Sequence, residues 1–568
     1  MVESKTLIVL LLCEISLSIA HANDPTLVSL PQGQIRGRTL HSPNGKVYYA
    51  FQEIPYATPP VEGLRFQTPR EPPKWSGVLN TTKNTKICCK TDTVVIPGTR
   101  ETEDCLYLNV FTPLRPGDSS KPPLAVLIWI HGGGFSFGTG VVQLYKPQYF
   151  MDYDIIVVTI NYRLGALGFL ATEDGVIPGN LGLKDQRFAI KWVKKNINLF
   201  GGDPDKITIA GASAGSTSVG FHMISPKNRG LFRGAILQSG SPINKWTRQD
   251  YARLYAFELG RSLDPNFKSN DSKELLKLLQ KTPASKIINN TVAPIIGKET
   301  GSVEGTGYLW LPIIEDANLE GALLTGSFYE AISKVKINKV TTMLTFNSEE
   351  ELLFWKPAVT DVSLLLEARA KYYDNDLSNI IRNKFNMTKQ NKVIAGRKIR
   401  QIYTNRTFQE NFPGLVKFFS DESFTTAITR HAKLQSNYTD VYLGQFSYQG
   451  KMGGMKDFEV AGVRGVGHGE ELGYLFDMPV SRYETPDDPE DLVTRQRLLT
   501  LWSNFVKYLN PTPEEDNVLN NVIWKKLTPN NLVYLNINKT LEMEKNPKEY
   551  LKWEKIIDAY AIPPFNNY

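Results

Sequence analysis

A serine that could act as a nucleophile lies at the centre of the pentapeptide GASAG, residues Gly211 to Gly215. An apolar run precedes the pentapeptide and a helical pattern follows it, which is the setting in which a sharp turn projects a serine hydroxyl into solvent. Glycine is needed on both sides of Ser213 because the helix passes close to the strand there. The alternative is a glycine-rich turn without chemistry, and the flanking strand and helix patterns favour the nucleophile.

A second glycine-rich turn could supply hydrogen-bond donors to this nucleophile's reaction. The strand pattern Leu124–Ile130 leads into His131, three glycines and Phe135. Turns of the HGGG type direct backbone N–H groups at the oxyanion of a tetrahedral intermediate, together with the N–H of the residue after the nucleophile. The alternatives are a flexible glycine loop and a phosphate-binding turn. No Lys-Ser or Lys-Thr follows the glycines, which excludes a P-loop.

A serine nucleophile needs a general base, which is usually histidine. Beyond residue 22 the candidates are His41, His131, His222, His431 and His468. Only His468 lies in a glycine-rich loop C-terminal to the serine, as the chain order nucleophile, acid, base requires. His468 is therefore predicted to be the base.

The acid that orients this histidine should follow a strand between the serine and the histidine. The strand pattern Val340–Phe346 leads to Glu349, Glu350 and Glu351. A carboxylate here would hold the imidazole tautomer and stabilise the imidazolium. Spacing alone leaves all three glutamates open, and an acidic start to a helix is the alternative interpretation of this run.

Several short runs are apolar throughout, which is typical of strands covered on both faces in a parallel sheet. Longer helical patterns, such as the one from Leu183 to Leu199, alternate with them and indicate an α/β fold. Side chains just after the strands then meet at one edge of the sheet. The predicted strands are Leu124–Ile130, Ile155–Ile160, Ile207–Ala210, Ala235–Gln238, Val340–Phe346 and Val441–Phe446.

The N-terminus predicts export. Lys5 precedes an apolar run that ends in an A-x-A cleavage pattern at Ala22, which predicts a signal peptide over residues 1–22 and a mature chain over 23–568. A signal anchor is the alternative, but the run is short for a bilayer span and Glu14 interrupts it. We therefore expect a secreted protein without stable membrane insertion.

Cysteines and sequons agree with export. Adjacent cysteines rarely pair, so either Cys88 or Cys89 should bridge to Cys105; we favour Cys88, which leaves Cys89 as a thiol. Sequons in an exported chain predict N-glycosylation. They occur at Asn80, Asn270, Asn289, Asn386, Asn405, Asn437 and Asn538.

The net charge of +7 does not indicate a nucleic-acid partner, because the basic residues are scattered and no nucleic-acid-binding signature accompanies them. The densest short clusters are Lys191-Lys194-Lys195 and Arg397-Lys398-Arg400, which we interpret as solvated helix faces. Of the four cysteines, Cys13 lies in the predicted signal peptide, and the three of the mature chain make a poor zinc site without clustered histidines, so no metal is expected.

Taken together, the motifs resemble the carboxylesterase/cholinesterase family of α/β-hydrolases over essentially the whole mature chain, most closely its secreted insect-type esterases. Further segments that carry the resemblance are FQEIPYA from Phe51, EDCLYLNV from Glu103, NYRLG from Asn161, GNLGLKDQ from Gly179, FGGDP from Phe200 and QSG from Gln238. The resemblance implies one α/β-hydrolase domain over 23–568, with a large, mostly parallel sheet and helices on both faces.

The resemblance also implies roles for individual residues. It places the acid on Glu350, the oxyanion donors on Gly133, Gly134 and Ala214, and the first disulfide on Cys88 and Cys105. It requires no cofactor. Three positions depart from the family patterns: Glu351 replaces a glycine after the acid, residues 89–104 lack the aromatic that holds quaternary ammonium in cholinesterases, and Ala212 precedes the serine where cholinesterases have glutamate and juvenile hormone esterases have glutamine.

These observations predict a serine hydrolase for small to medium carboxylic esters, acting through an acyl-enzyme intermediate. The alternatives are a non-catalytic, cholinesterase-like adhesion or ester-sequestering protein, and a lipase for long acyl chains. The expected partner is a small-molecule ester. The sequence leaves the oligomeric state and the physiological ester open.

Overall fold

The computed structural model describes residues 24–290, 309–355, 362–381, 385–454, 458–478, 488–565 and 568. The signal peptide predicted for residues 1–22 lies outside these residues. Within them, no helix has the length and apolar character needed to cross a bilayer.

An eleven-stranded sheet organises the described part of the chain, with the strands in the order β16-β15-β14-β13-β12-β11-β9-β10-β8-β4-β3. Two smaller sheets contain β1-β2-β5 and β6-β7. The strands in chain order are β1 Leu27–Leu30, β2 Gly33–Arg36, β3 Arg38–His41, β4 Val47–Pro55, β5 Val78–Asn80, β6 Lys86–Cys88, β7 Arg100–Thr102, β8 Tyr107–Thr112, β9 Leu124–Ile130, β10 Ile156–Ile160, β11 Gly202–Ala212, β12 Gly234–Gln238, β13 Thr341–Asn347, β14 Val441–Phe446, β15 Val533–Ile537 and β16 Leu541–Lys545.

The six strands predicted from the sequence are β9 to β14, and each lies within a residue or two of its predicted bounds except β11, which begins earlier. They pair in parallel with their neighbours, as predicted. Antiparallel strands extend the sheet at both edges, through β8, β4 and β3 on one side and β16 on the other. The outermost strands β3 and β16 were not predicted, because most of their side chains are polar or exposed.

The α-helices connect the strands, and the pattern predicted over Leu183–Leu199 forms a helix at Leu181–Asn196 followed by a 3₁₀ turn at Ile197–Phe200. The α-helices are Gly165–Phe169, Leu181–Asn196, Ala214–Ile224, Ala252–Leu263, Ser272–Lys281, Ala284–Ile288, Phe328–Ser333, Leu352–Trp355, Val362–Asn375, Lys389–Tyr403, Phe412–Ser420, Thr426–Gln435, Leu472–Leu475, Pro489–Tyr508 and Tyr550–Tyr560.

Helices cover both faces of the large sheet. Alternate residues of a strand point to opposite faces, and those of β9 belong to two different cores. Ile128 packs in the same core as the helices Leu181–Asn196 and Ala214–Ile224. Trp129 packs in the core that contains the helix Pro489–Tyr508. A sheet buried on both faces explains why the central strands are apolar throughout, and it confirms the predicted fold class.

A disulfide joins Cys88 to Cys105, which confirms the predicted pairing. Cys89 remains a partly buried thiol, and burial raises its pKa to about 12. Six of the seven sequon asparagines are exposed and Asn538 is partly buried.

A buried ion pair fixes the segment after β10 to the helix Leu181–Asn196. The guanidinium of Arg163 donates to both carboxylate oxygens of Asp185, each at 2.7 Å, and the backbone N–H of Arg163 donates to the same carboxylate at 3.1 Å. Both side chains are almost fully enclosed, at 4% and 0% exposure.

We expect Asp185→Ala to lower the free energy of unfolding by about 3–5 kcal/mol, because it leaves a buried guanidinium without its counter-charge. Denaturant-induced unfolding measures the loss. Asp440→Ala is the control, because that carboxylate pairs with Lys526 at the surface and both side chains are half exposed. Equal midpoints for the two variants would contradict the expectation.

Candidate active site

The predicted nucleophile lies on a strained turn between a strand and a helix. β11 ends at Ala212 and the helix begins at Ala214, so Ser213 alone makes the turn. Its φ of 58° and ψ of −124° lie in a region that residues with side chains rarely adopt. Its backbone N–H donates to the carbonyl of Gln238 in β12 at 2.8 Å, which ties the turn to the neighbouring strand. The hydroxyl makes no hydrogen bond within the described residues.

The predicted oxyanion turn packs directly against this serine. A Cβ atom on Gly132 would lie 2.9 Å from the Cβ of Ser213 and 2.7 Å from the carbonyl oxygen of Ala212. Gly133 and Gly134 have φ angles of 110° and 56°, which orient their peptide groups away from the strand direction. Only glycine fits at Gly132, since any side chain there would push the two turns apart.

The three N–H groups predicted to hold the oxyanion are not used in the hydrogen bonding of the described residues. In the parts of the chain that the structure describes, the N–H groups of Gly133, Gly134 and Ala214 have no hydrogen-bond partner. Ala214 is the first residue of its helix, where N–H groups lack an intrahelical acceptor. These groups are therefore available to an oxygen atom bound beside Ser213.

His468 is held by a buried carboxylate. Its Nδ1 lies 2.7 Å from Oε2 of Glu350, and its backbone N–H donates to the Glu350 carbonyl at 3.1 Å. Glu350 has no solvent exposure, and its Oε1 accepts from the backbone N–H of Asn347 at 2.7 Å. Of the three candidate glutamates, Glu350 is thus the one that contacts the predicted base.

The other two glutamates point to different partners. Glu349 lies 3.4 Å from the ammonium of Lys548. Glu351, which replaces the glycine, is 8% exposed, and its backbone N–H donates to Oγ of Ser420 at 3.2 Å. Burial raises the pKa of the Glu351 carboxyl, and the charge of Glu422 raises it further. The chain therefore accommodates the extra carboxylate inside the protein, next to the π-helical turn Asp421–Thr425.

Glu471 connects the loop of His468 to the strand ends beside the serine. Its two carboxylate oxygens accept from Nε2 of Gln238 at 2.9 Å and from Nδ2 of Asn347 at 2.7 Å. Gln238 is the residue whose carbonyl holds Ser213, and Asn347 is the residue whose N–H holds Glu350. The predicted nucleophile, acid and base therefore belong to one connected network at the carboxyl ends of β11, β12 and β13.

The remaining histidines differ in environment. His41 is exposed. His131, His222 and His431 are buried away from carboxylates, and burial lowers their pKa values to about 4, 3 and 4 respectively.

His468 shows the opposite behaviour. Burial by itself lowers its pKa, but the hydrogen bond and charge of Glu350, together with the charges of Glu471 and Glu351, outweigh burial and raise the pKa above 6.5.

Two aromatic side chains that sequence reasoning missed flank the base. The ring centroids of Phe424 and Phe354 lie 4.7 Å and 5.6 Å from that of His468. Phe354 is 37% exposed and stacks on Phe424 at 6.0 Å. Phe354 lies only four positions after Glu350 in the sequence, so its proximity to His468 could have been predicted once Glu350 was taken as the acid. Nothing in the sequence indicates the position of Phe424, because its π-helical turn lies 74 positions beyond Glu350 in the chain.

A family model described as the carboxylesterase family matches residues 24–552. The chain belongs to the carboxylesterase family. This confirms the predicted family and the predicted hydrolysis of carboxylic esters. Within the described residues, no cluster of histidine, cysteine, aspartate and glutamate forms a metal site.

Similar curated carboxylesterases include three insect proteins. Juvenile hormone esterase of Tribolium castaneum is 31% identical, over 89% of this chain and 87% of its own length. Esterase FE4 of Myzus persicae is 32% identical, over 95% and 90%. Venom carboxylesterase-6 of Apis mellifera is 31% identical, over 95% and 94%. The similarity thus extends over nearly the full length of each relative.

We expect Gly132→Ala to reduce kcat/KM for a short-chain aryl ester about a hundredfold, since a displacement of about 1 Å between reacting groups has that effect. The added methyl group would separate the oxyanion turn from Ser213. Gly63→Ala is the matched control, because a Cβ at Gly63 meets no atom within 4 Å. Undiminished activity of Gly132→Ala would show that the close approach of the two turns is not required.

Proposed function

We propose that this carboxylesterase hydrolyses small to medium esters through an acyl-enzyme intermediate on Ser213. The base is His468 and the orienting acid is Glu350, and the oxyanion is held by the N–H groups of Gly133, Gly134 and Ala214. The observation that carries the proposal is the 2.7 Å contact between His468 and the buried carboxylate of Glu350, on a loop tied to the strand ends beside the strained serine.

Each step follows from these groups. His468 removes the proton of Ser213 as its oxygen attacks the ester carbonyl, and the negative oxygen that forms is stabilised by the three N–H groups. The C–O bond to the alcohol then breaks, and the imidazolium returns the proton to the leaving alkoxide. Water repeats the sequence on the acyl-serine, which releases the carboxylic acid and restores the hydroxyl. Glu350 stabilises the imidazolium in both half-reactions.

The sequence around the site supports neutral esters as substrates. Residues 89–104 contain no aromatic side chain for cation–π contact with a quaternary ammonium group, and Ala212 replaces the glutamate that precedes the cholinesterase serine. The aromatic pair Phe354 and Phe424 beside His468 offers an apolar surface to an acyl or alcohol group. The names of the relatives include a hormone esterase and a venom carboxylesterase, so they do not point to one physiological ester.

Export of this enzyme is part of the proposal. The predicted signal peptide over residues 1–22, the disulfide between Cys88 and Cys105, and the exposure of most sequon asparagines all support a secreted glycoprotein. The proposed catalytic residues follow strands from β9 to β14 of one sheet, which supports a single domain over 23–568.

Ser213→Ala should lower kcat/KM for 4-nitrophenyl butyrate by at least about a thousandfold, because no other group can form the acyl intermediate. It should also abolish covalent labelling by an organophosphate, which intact-mass measurement detects. Ser285→Ala, at an exposed position, is the control. Persistent labelling of Ser213→Ala would refute the assignment, and a folded wild-type protein that binds esters without turnover would favour the sequestering alternative.

The pH dependence tests the base. Because only neutral imidazole accepts the serine proton, kcat/KM for a neutral ester should fall as the pH drops through the raised pKa of His468, above 6.5. Glu351→Gln removes one of the charges that raise this pKa, so the acid limb should move to lower pH. The exposed Glu514→Gln is the control. An acid limb that does not move in Glu351→Gln, or moves to higher pH, would contradict this role of Glu351.

A further inference from the structure

A cavity of about 210 Å³ lies beside the lysine cluster of the helix Leu181–Asn196. Its apolar walls come from Phe188 and Trp192 of that helix and from Leu231. The cavity is larger than the apolar cavity of about 150 Å³ that holds benzene in another protein. It can therefore hold an organic group of about two fused rings.

The cavity lies near the amino ends of the central strands, whereas Ser213 lies at their carboxyl ends. The ammonium of Lys194, which also lines it, donates at 2.8 Å to the carbonyl of Pro204, near the start of β11. Ser213 follows the other end of that strand. At about 3.3 Å per residue, the eight positions from Pro204 to Ala212 separate the two regions by about 25 Å. A ligand here would not be a substrate bound for hydrolysis.

Three lysines and one glutamate line the cavity, so its charged groups are mostly positive, and two of the lysines have no ion-pair partner in the described part of the chain. Lys191 and Lys195 are exposed and four positions apart, so they lie on one face of the helix, where like charges repel. Neither ammonium group has a hydrogen bond or ion pair within the described residues. Lys194 is already satisfied, by the Pro204 carbonyl and by Asp205. The exposed carboxylate of Glu71 also lines the cavity and compensates one of the positive charges.

Two enclosed polar atoms among the lining residues lack partners. The indole N–H of Trp192 and the amide oxygen of Gln32 are inaccessible to solvent and have no hydrogen bond in the described part of the chain. The two residues are only 5% and 9% exposed. Buried polar groups in native proteins are almost always hydrogen-bonded. Because these two atoms have no accessible surface, a ligand in the cavity does not contact them, and its charged group has to be bound by the exposed lysines.

We propose that this cavity binds a small organic anion with an aromatic or alkyl body, of the size of a naphthalene carboxylate. The body packs against Phe188, Trp192 and Leu231, and the carboxylate meets the ammonium groups of Lys191 and Lys195. The exposure of Lys191 and Lys195 agrees with the solvated helix face predicted from the sequence, and the proposal adds a ligand to that face. The inference is independent of the chemistry proposed at Ser213.

Isothermal titration of the full-length protein with 2-naphthoate tests the proposal. We expect saturable binding that weakens as ionic strength rises, because salt screens the lysine charges. The neutral analogue 2-naphthalenemethanol should bind at least tenfold more weakly. Absence of binding at millimolar 2-naphthoate, or equal affinity for the neutral analogue, would overturn the proposal.

Two variants locate the binding. Lys191→Glu/Lys195→Glu should weaken 2-naphthoate binding at least tenfold, and Leu231→Trp should abolish it by filling the cavity. Lys273→Glu/Lys277→Glu is the matched control, since these lysines are also exposed and four positions apart on a helix. All three proteins should retain wild-type turnover of 4-nitrophenyl butyrate, which shows that they are folded. Binding that survives Lys191→Glu/Lys195→Glu unchanged would place the ligand elsewhere, including the catalytic site, and would overturn the proposal.

Discussion

The buried hydrogen bond between Glu350 and His468 is the interaction on which the rest of the active site depends. A carboxylate with no solvent exposure is costly unless its oxygens are paired, and here one oxygen accepts from the imidazole and the other from the backbone of Asn347. This pairing occupies Nδ1 of His468 and leaves Nε2 as the nitrogen that could accept a proton. It also explains why His468 has a raised pKa although the three other buried histidines have lowered ones.

Backbone proximity is the second constraint. The carboxyl ends of β9 and β11 meet so closely that Gly132 has no room for a methyl group beside Ser213. The same proximity leaves three N–H groups without acceptors near the serine. Glu471 then fixes the distance between this pair of turns and the base, because it binds β12 through Gln238 and β13 through Asn347. The strained turn at Ser213 is therefore held by its hydrogen bond to Gln238, a residue that Glu471 in turn connects to Asn347.

The two ends of the central strands differ in charge: carboxylates lie at the carboxyl ends and exposed lysines at the amino ends. At the carboxyl ends, carboxylates surround His468, and the buried Glu351 adds a charge where the family pattern has a glycine. At the amino ends, exposed lysines border a cavity with apolar walls. The site that we propose for an organic anion is therefore distinct in both position and charge from the site proposed for ester hydrolysis.

The sequence by itself determined the central strands, because a sheet covered on both faces requires uninterrupted apolar runs, and it determined Ser213 and the glycine turns, because their backbone geometry restricts residue type locally. It also singled out His468, through its chain position and glycine-rich surroundings. Spacing alone left three glutamates open and the family resemblance pointed to Glu350, but only the tertiary structure shows which carboxylate contacts the imidazole 118 positions away. It also decided the placement of Phe424 against the base and of the lysine cluster against a cavity, since both result from packing between segments that are distant in the chain and leave no local pattern.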